Sequence, residues 1–502
     1  MKTMKYLMLG MALLLSLGSC TTKFDEYNTN PNEMDLWNIG PSGMLQQLLY
    51  SGTEVFLYRT WLLNGELIQY TFAGSGNNTY HRYVIDNSVG SSAWSNLYRQ
   101  AANADHMRLL AIQRENPNYE AVALTLRTLL ISNVIDIFGD APYTEAFKGP
   151  SEGISQPKFD RQEDVYRALM ADYEEANSLY DASAALENPE RDLLYGGDVA
   201  KWQKFNNSLY LRLLMRLSNR DDVLGVSEKI NEIFSSPARY PIFISNDDNA
   251  TMYYDAVEPF VNYFGSRLET QFTTSTGRRP AEQIINMMKE TGDPRISIWF
   301  RQPSGADGWK GGQSGIEAQE ADLTGVANLN KTNLGEYDSP YALMKYDEVL
   351  FIQAEAMQRG WVAGDAAATY QQAIRASIEF WHGVDKTGLN ITDRVIENFL
   401  ANVPYDGTLK AILDQKYVAL FWVGFEAWAD YRRTGYPELV IGTGTFNDHI
   451  LPRRLVYPTN TMETNRENYE EALARLRNVY GGDDDMKTPL WWSLEAVERG
   501  IR

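Results

Sequence analysis

The sequence has few of the residues on which metal and covalent chemistry depend. Its 502 residues include one cysteine, Cys20, and four scattered histidines, His81, His106, His382 and His449. A single cysteine cannot form an intramolecular disulfide, and neither paired cysteines nor a His-Glu-x-x-His zinc spacing occurs. Glycine-rich phosphate loops are also absent, which removes the basis for a P-loop enzyme. We therefore predict no cofactor, no metal and no catalytic residue.

Positive charge is also scarce. Lys and Arg together number 46 against 66 Asp and Glu, a formal net charge of −20. Such a balance argues against nucleic acid and against a polybasic membrane surface as partners. With 44% hydrophobic residues the chain is too apolar for disorder, and no Pro/Gly/Ser-rich linker divides it. We predict one large body over residues 41–502.

The N-terminal segment is typical of export. Lys2 and Lys5 precede about 13 apolar residues, fewer than the roughly 20 that span a bilayer. The run ends in Leu-Gly-Ser and then Cys20. Such an arrangement predicts a signal peptide over residues 1–19 and a diacylglycerol- and palmitate-bearing Cys20. Residues 20–40 would then form a lipidated tether that anchors the body without spanning the membrane.

Apolar residues at helical spacing predict a mainly α body. The stretch Trp94–Phe138 predicts two helices joined by a turn at Pro117. The stretch Asp347–Ile374 predicts two helices joined by a turn at Gly360. Pairs of this kind resemble tetratricopeptide hairpins, which stack and share a core.

Further helices and one irregular lobe complete this prediction. Asp160 and Asp198 are candidate N-caps, and one long helix is expected from Ile412 through Phe425, ending in Glu426–Gly435. Residues 236–340 are less periodic and predict a loop-rich lobe with few short strands, one of them at Pro241–Ile244.

Several motifs together resemble those of SusD/RagB-type outer-membrane lipoproteins of the Bacteroidetes. Besides the lipobox at Cys20, they are Phe24–Asn32, Phe138–Ala146, Lys201–Leu209, Gly292–Arg295, Glu348–Ala356, Phe425–Pro437 and Trp491–Trp492. The resemblance implies a helical-repeat body with an irregular lobe, exposed on the cell exterior. It also implies a binding protein, not an enzyme, which passes an oligosaccharide, or a peptide, to a SusC-type TonB-dependent transporter barrel.

The ligand site is predicted from aromatic residues among Gly and Asn, where ring stacking and amide hydrogen bonds suit a polar ligand. The stretch 70–93 is interpreted as a long functional loop with exposed rings. The candidates are Tyr70, Tyr80, His81, Tyr83, Trp94, Trp299 and Trp309. Core packing is the alternative for Trp94 and Trp299.

Three alternatives stay open at this point. A surface glycoside hydrolase would need two carboxylates across a cleft, and the sequence cannot exclude such a pair among 66 acids. A helical-repeat scaffold without a small ligand would need no site. Asn246–Asn249 offers oxygen ligands for calcium but lacks the spacing of a known loop motif.

Overall fold

The fold is that of a computed structural model, which describes residues 36–73, 80–267, 272, 277–317 and 320–493. The predicted signal peptide, Cys20 and most of the tether lie outside these residues. The longer helices are α1 Leu36–Arg59, α2 Asn87–Gln113, α3 Pro117–Phe138, α4 Gln162–Leu179, α5 Val199–Arg216, α6 Val226–Ser235, α7 Glu282–Thr291, α8 Tyr346–Gln358, α9 Ala366–Gly383, α10 Asp393–Asn402, α11 Leu409–Ala419, α12 Glu426–Thr434 and α13 Arg466–Tyr480. The prediction of a mainly α fold is confirmed.

Short elements connect these helices. Helical segments of three to six residues are Gly65–Leu67, Gly149–Glu152, Asp221–Leu224, Tyr263–Arg267, Ile296–Trp299, Lys331–Leu334 and Thr459–Thr464. The strands are β1 Thr71–Ala73, β2 Ala250–Met252, β3 Arg278–Pro280, β4 Phe300–Arg301, β5 Asn328–Leu329 and β6 Tyr341–Met344. They pair antiparallel as β1–β3, β2–β6 and β4–β5, so the described strands form only two-stranded ribbons.

The two predicted helix pairs are present. A three-residue connection joins α2 to α3, and Asn116 caps α3 by accepting from the backbone N–H of Tyr119 at 3.2 Å. The turn between α8 and α9 contains Gly360 at φ +76°, a conformation that glycine adopts without penalty. Helices α1, α2, α3, α4, α5, α8 and α9 pack in that spatial order, each against the next.

Helix α3 lies at the centre of this layer. By length and composition it is apolar enough to cross a membrane, and within the described residues no other helix is. However, 94% of its apolar window is buried inside the protein by α2, α4 and their neighbours. A helix that is apolar all round needs such cover on every side.

Buried ion pairs tie the C-terminal helices to the pair α8/α9. Glu355 of α8 receives hydrogen bonds from Nη1 and Nη2 of Arg433 in α12, at 2.5 and 2.8 Å. Both side chains are 0% exposed. Because a buried carboxylate without a partner is costly, this bidentate pair fixes where α12 docks.

Three local predictions are wrong. Helix α4 begins at Gln162 without a cap from Asp160, whose carboxylate instead accepts from the N–H groups of Tyr143 and Thr144. Pro241–Ile244 forms no strand, because its N–H groups donate to side chains: Phe243 to Ser208 Oγ and Ile244 to Asp248 Oδ2.

The third concerns the expected helix from Ile412 through Phe425. It stops at Ala419, and α12 starts only at Glu426. Positive φ angles at Trp422 and Gly424 break the chain direction between them. The predicted cap at Asp198 is confirmed, since it accepts from the N–H of Lys201.

Candidate functional site

Most of the rings predicted to contact a ligand lie in the interior. Tyr70, His81 and Tyr83 are buried, so the exposure expected for these three rings of the stretch 70–93 is wrong. Trp94 and Trp299 are also buried, which agrees with the core packing that was their alternative. The cause is long-range pairing: β1 pairs with β3, about 200 residues away, and the stretch after Asp86 is helix α2 and not a loop.

Each buried ring has partners in the core. Tyr70 donates its hydroxyl to the carbonyl of Tyr417, and the two ring centroids lie 4.5 Å apart. Trp94 packs edge-on against Phe138 at 5.1 Å. Trp299 stacks on Phe421 with ring centroids 4.4 Å apart, which is the core packing stated above as its alternative.

His81 also has a structural contact. Its Nδ1 accepts a hydrogen bond from the backbone N–H of Gly315 at 3.0 Å, which requires an unprotonated ring nitrogen. Burial, and then the positive charge of Arg82, lowers the pKa of His81 to about 4. The imidazole is therefore neutral at pH 7 and joins the 3₁₀ turn Tyr80–Arg82 to the loop around Gly315.

A surface groove of 560 Å³ runs between α1 and α2. Its walls come from one polar stripe on each helix, and both stripes have the spacing i, i+4, i+7, i+8, i+11, which places their members on one helix face. The stripe of α1 is Gln47, Ser51, Glu54, Val55 and Tyr58, and that of α2 is Ser92, Asn96, Arg99, Gln100 and Asn103. Tyr263 and Arg267 close one end from the short helix Tyr263–Arg267.

The aromatic end of this groove is built by the end of α1. Tyr58 packs edge-on against Tyr263 with centroids 5.6 Å apart, and both rings are partly exposed. A π-helical turn, Thr60–Asn64, follows directly after α1. Such turns are frequent at functional sites because the extra residue shifts the direction of the following side chains.

The other side chains of the wall are polar, and hydrogen bonds among them use only some of their donors and acceptors. Asn96 Nδ2 donates to Ser92 Oγ at 3.2 Å, and Asn103 Nδ2 donates to Gln100 Oε1 at 3.1 Å. Gln47 Nε2 donates to Ser51 Oγ at 2.6 Å. An amide has two donors and an acceptor with two lone pairs, so these side chains keep capacity for a polyhydroxylated ligand.

One carboxylate, Glu54, stands among the described lining residues of the groove. Burial raises its pKa, while Arg267, 3.7 Å away, acts in the opposite direction. Hydrolysis of a glycosidic bond takes two carboxyl groups at about 5–10 Å across the bond. The described wall of the groove contains one such group.

The two remaining predicted residues are partly exposed. Tyr80 is not among the residues that line the groove, although its hydroxyl is close enough to interact electrostatically with Arg59, as are those of Tyr58 and Tyr263. Trp309 lies in the loop that bonds to Ala327 through the carbonyl of Lys310, and it is not among the residues that line the groove.

The calcium candidate Asn246–Asn249 is a 3₁₀ turn with its own protein partners. Asp248 accepts from Lys204 Nζ at 2.8 Å and from the N–H of Ile244 at 2.9 Å. Its carboxylate is thus part of the contact between this turn and α5.

The family model SusD-like_2, described as starch-binding and associating with the outer membrane, matches residues 31–458. This chain belongs to that SusD-like family. No curated protein matches the chain.

Solved structures place the SusD-like chain among known folds. A chitin-binding protein is 26% identical, with a TM-score of 0.77, over 91% of this chain and 100% of its own. A SusD homologue from Bacteroides fragilis is 27% identical, with a TM-score of 0.77, over 89% and 99%. A chitin-binding SusD homologue from Flavobacterium johnsoniae is 22% identical, with a TM-score of 0.75, over 90% and 98%, and shows the fold alone.

Sequence reasoning missed the groove of this SusD-like protein because it looked for rings in loops. The available signal was the matching polar spacing on two neighbouring helices, from Gln47 to Tyr58 and from Ser92 to Asn103. A polar helix face usually contacts only solvent. Only the packing of α1 on α2 turns two such faces into the walls of one groove.

Proposed function

We propose that this protein is a lipid-anchored outer-membrane protein, facing the cell exterior, that binds an oligosaccharide in the α1–α2 groove. It delivers this saccharide to a TonB-dependent transporter barrel of the SusC type. Membership of the SusD-like family and the chitin binding of related proteins support the class of ligand. A peptide ligand is the alternative that the binding experiment tests.

The observation that carries the proposal is the composition of the groove. Tyr58 and Tyr263 offer flat apolar faces at one end, and the side-chain amides of Asn96 and Asn103 line the wall beyond. Pockets for polar ligands combine such apolar surface with a few placed hydrogen-bonding groups. The volume of the groove, 560 Å³, lies within the roughly 300–1,000 Å³ that is usual for ligand sites.

Replacing both Tyr58 and Tyr263 by alanine is expected to weaken saccharide binding by about 2 kcal/mol or more, about thirtyfold, because aromatic anchors dominate binding energy. Calorimetric titration with a panel of oligosaccharides and peptides measures this change. Tyr253→Ala is the matched control, since Tyr253 is 67% exposed and lies outside the groove. Undiminished affinity in the double variant, with an unchanged Tm, would refute the groove as the site.

Delivery to a transporter makes a separate prediction. A tagged chain, extracted from its native outer membrane in mild detergent, is expected to co-purify with a β-barrel protein of the TonB-dependent class. Mass spectrometry of the purified complex identifies that partner. Recovery of the lipoprotein alone after chemical cross-linking in intact cells would count against delivery and would leave saccharide binding untouched.

A further inference from the structure

Arg59, the last residue of α1, is a buried cation without a carboxylate partner. It is 2% exposed, and its Nη2 donates to Ser92 Oγ in the groove wall at 2.6 Å. Its guanidinium lies 5.0 Å from the ring centre of Tyr58. In the described part of the chain no Asp or Glu is within ion-pair distance of it, and burial lowers its pKa.

The other buried arginines show how unusual this is. Six of them form ion pairs with carboxylates: Arg212, Arg216, Arg278, Arg295, Arg433 and Arg454. The seventh, Arg432, donates to the backbone carbonyls of Trp428, Asp136 and Arg453. Arg59 donates to one hydroxyl and, among the described residues, to neither a carboxylate nor a backbone carbonyl. An uncompensated buried charge is costly unless a partner arrives.

A second arginine of the groove is also unpaired by carboxylates. Arg99 is exposed on the α2 stripe, two turns after Ser92, and donates to the side-chain oxygen of Asn96. Over the residues for which side chains are described, it forms no ion pair. Its remaining N–H donors face the same groove that Arg59 reaches through Ser92.

The charge of the groove is thus opposite to that of the protein. Arg99 and Arg267 line it, with Glu54 beside Arg267 as the one acid in its described wall, and Arg59 adds a third positive charge behind Ser92. The whole chain carries −20. A positive cleft on an acidic surface concentrates anions locally, and guanidinium groups match carboxylate and sulfate oxygens in geometry.

We infer that the groove selects anionic saccharides, with a carboxylate or sulfate ester of the sugar placed at Arg99 and at the Ser92–Arg59 wall. This inference rests on the saccharide binding proposed above and specifies its ligand. A neutral sugar satisfies the amides of the groove but leaves Arg59 without a counter-charge, whereas an oxyanion supplies one.

The test begins with affinity electrophoresis of the purified full chain against carboxylated polysaccharides (homogalacturonan, alginate), sulfated ones (chondroitin sulfate, carrageenan) and neutral ones (amylopectin, xylan, galactan). We expect retardation by a carboxylated or a sulfated member, and which of the two responds identifies the source of the anion. Oligomers of that member are then titrated beside their carboxyl-reduced or desulfated forms. The charged oligomer is expected to bind about tenfold tighter or more.

Variants locate the effect. Arg99→Gln is expected to weaken binding of the charged oligomer about tenfold and to leave binding of the neutral form unchanged. Arg239→Gln, an equal loss of charge at an exposed site in the turn after α6, is expected to change neither. Arg59→Gln, whose folding is checked by its Tm, is expected to weaken binding of the charged oligomer as well. If the protein bound only neutral polysaccharides, and Arg99→Gln did not change that binding, this inference would be overturned and the proposed function would stand. Binding of no polysaccharide would overturn both.

Discussion

Replacing Glu355 by alanine is expected to lower the free energy of unfolding by about 3–5 kcal/mol. The substitution leaves Arg433, which is 0% exposed, as a buried cation whose bidentate partner is gone. Arg359 loses its hydrogen bond to the same carboxylate. The neighbouring Asp430 still pairs with Arg433 but already neutralises Lys416. Urea unfolding followed by far-ultraviolet circular dichroism measures the change.

An exposed ion pair provides the control for this prediction. Glu397 pairs with Arg375 at the surface, and its side chain is 63% exposed. Such pairs contribute about 0–1 kcal/mol, so Glu397→Ala should shift the urea midpoint little. Equal losses in the two variants would show that the Glu355–Arg433 pair does not hold α12 in place.

Replacing Cys20 by alanine is expected to remove the protein from the outer-membrane fraction completely. The prediction follows from the acyl chains: each buried methylene contributes about 0.8 kcal/mol, and two or three chains anchor a protein that does not span the membrane. Without the thiol no thioether to diacylglycerol can form. Fractionation of cells labelled with palmitate measures both the location of the chain and its lipid.

Ser19→Ala serves as the matched control, because it keeps a small residue before the cysteine. This variant should stay labelled and anchored. A Cys20→Ala chain that remains in the outer membrane, with or without label, would contradict lipid anchoring at this residue. The groove and its ligand would be unaffected by that result.

The helix pairs could be predicted from sequence because their information is local. In α2 and α3 the apolar residues repeat with the helical period, and Pro117 and Asn116 mark the turn between them. The same holds for α8 and α9 around Gly360. These signals lie within a few residues of the feature that they predict.

The site depends on contacts that the local pattern does not contain. Tyr70 and Trp299 look like ligand rings beside Gly and Asn, but β1–β3 pairing and Phe421 bury them. Conversely, Tyr58 and Arg59 look like ordinary positions at a helix end. They become a site only where α2 brings Ser92 within 2.6 Å of Arg59.

The most direct test of the central claim is a crystal structure of the protein with its tightest-binding oligosaccharide. The account predicts sugar density between α1 and α2, with a ring against Tyr58 or Tyr263 and hydroxyls at the amides of Asn96 and Asn103. Well-defined sugar density elsewhere on the protein, with the α1–α2 groove empty, would contradict it.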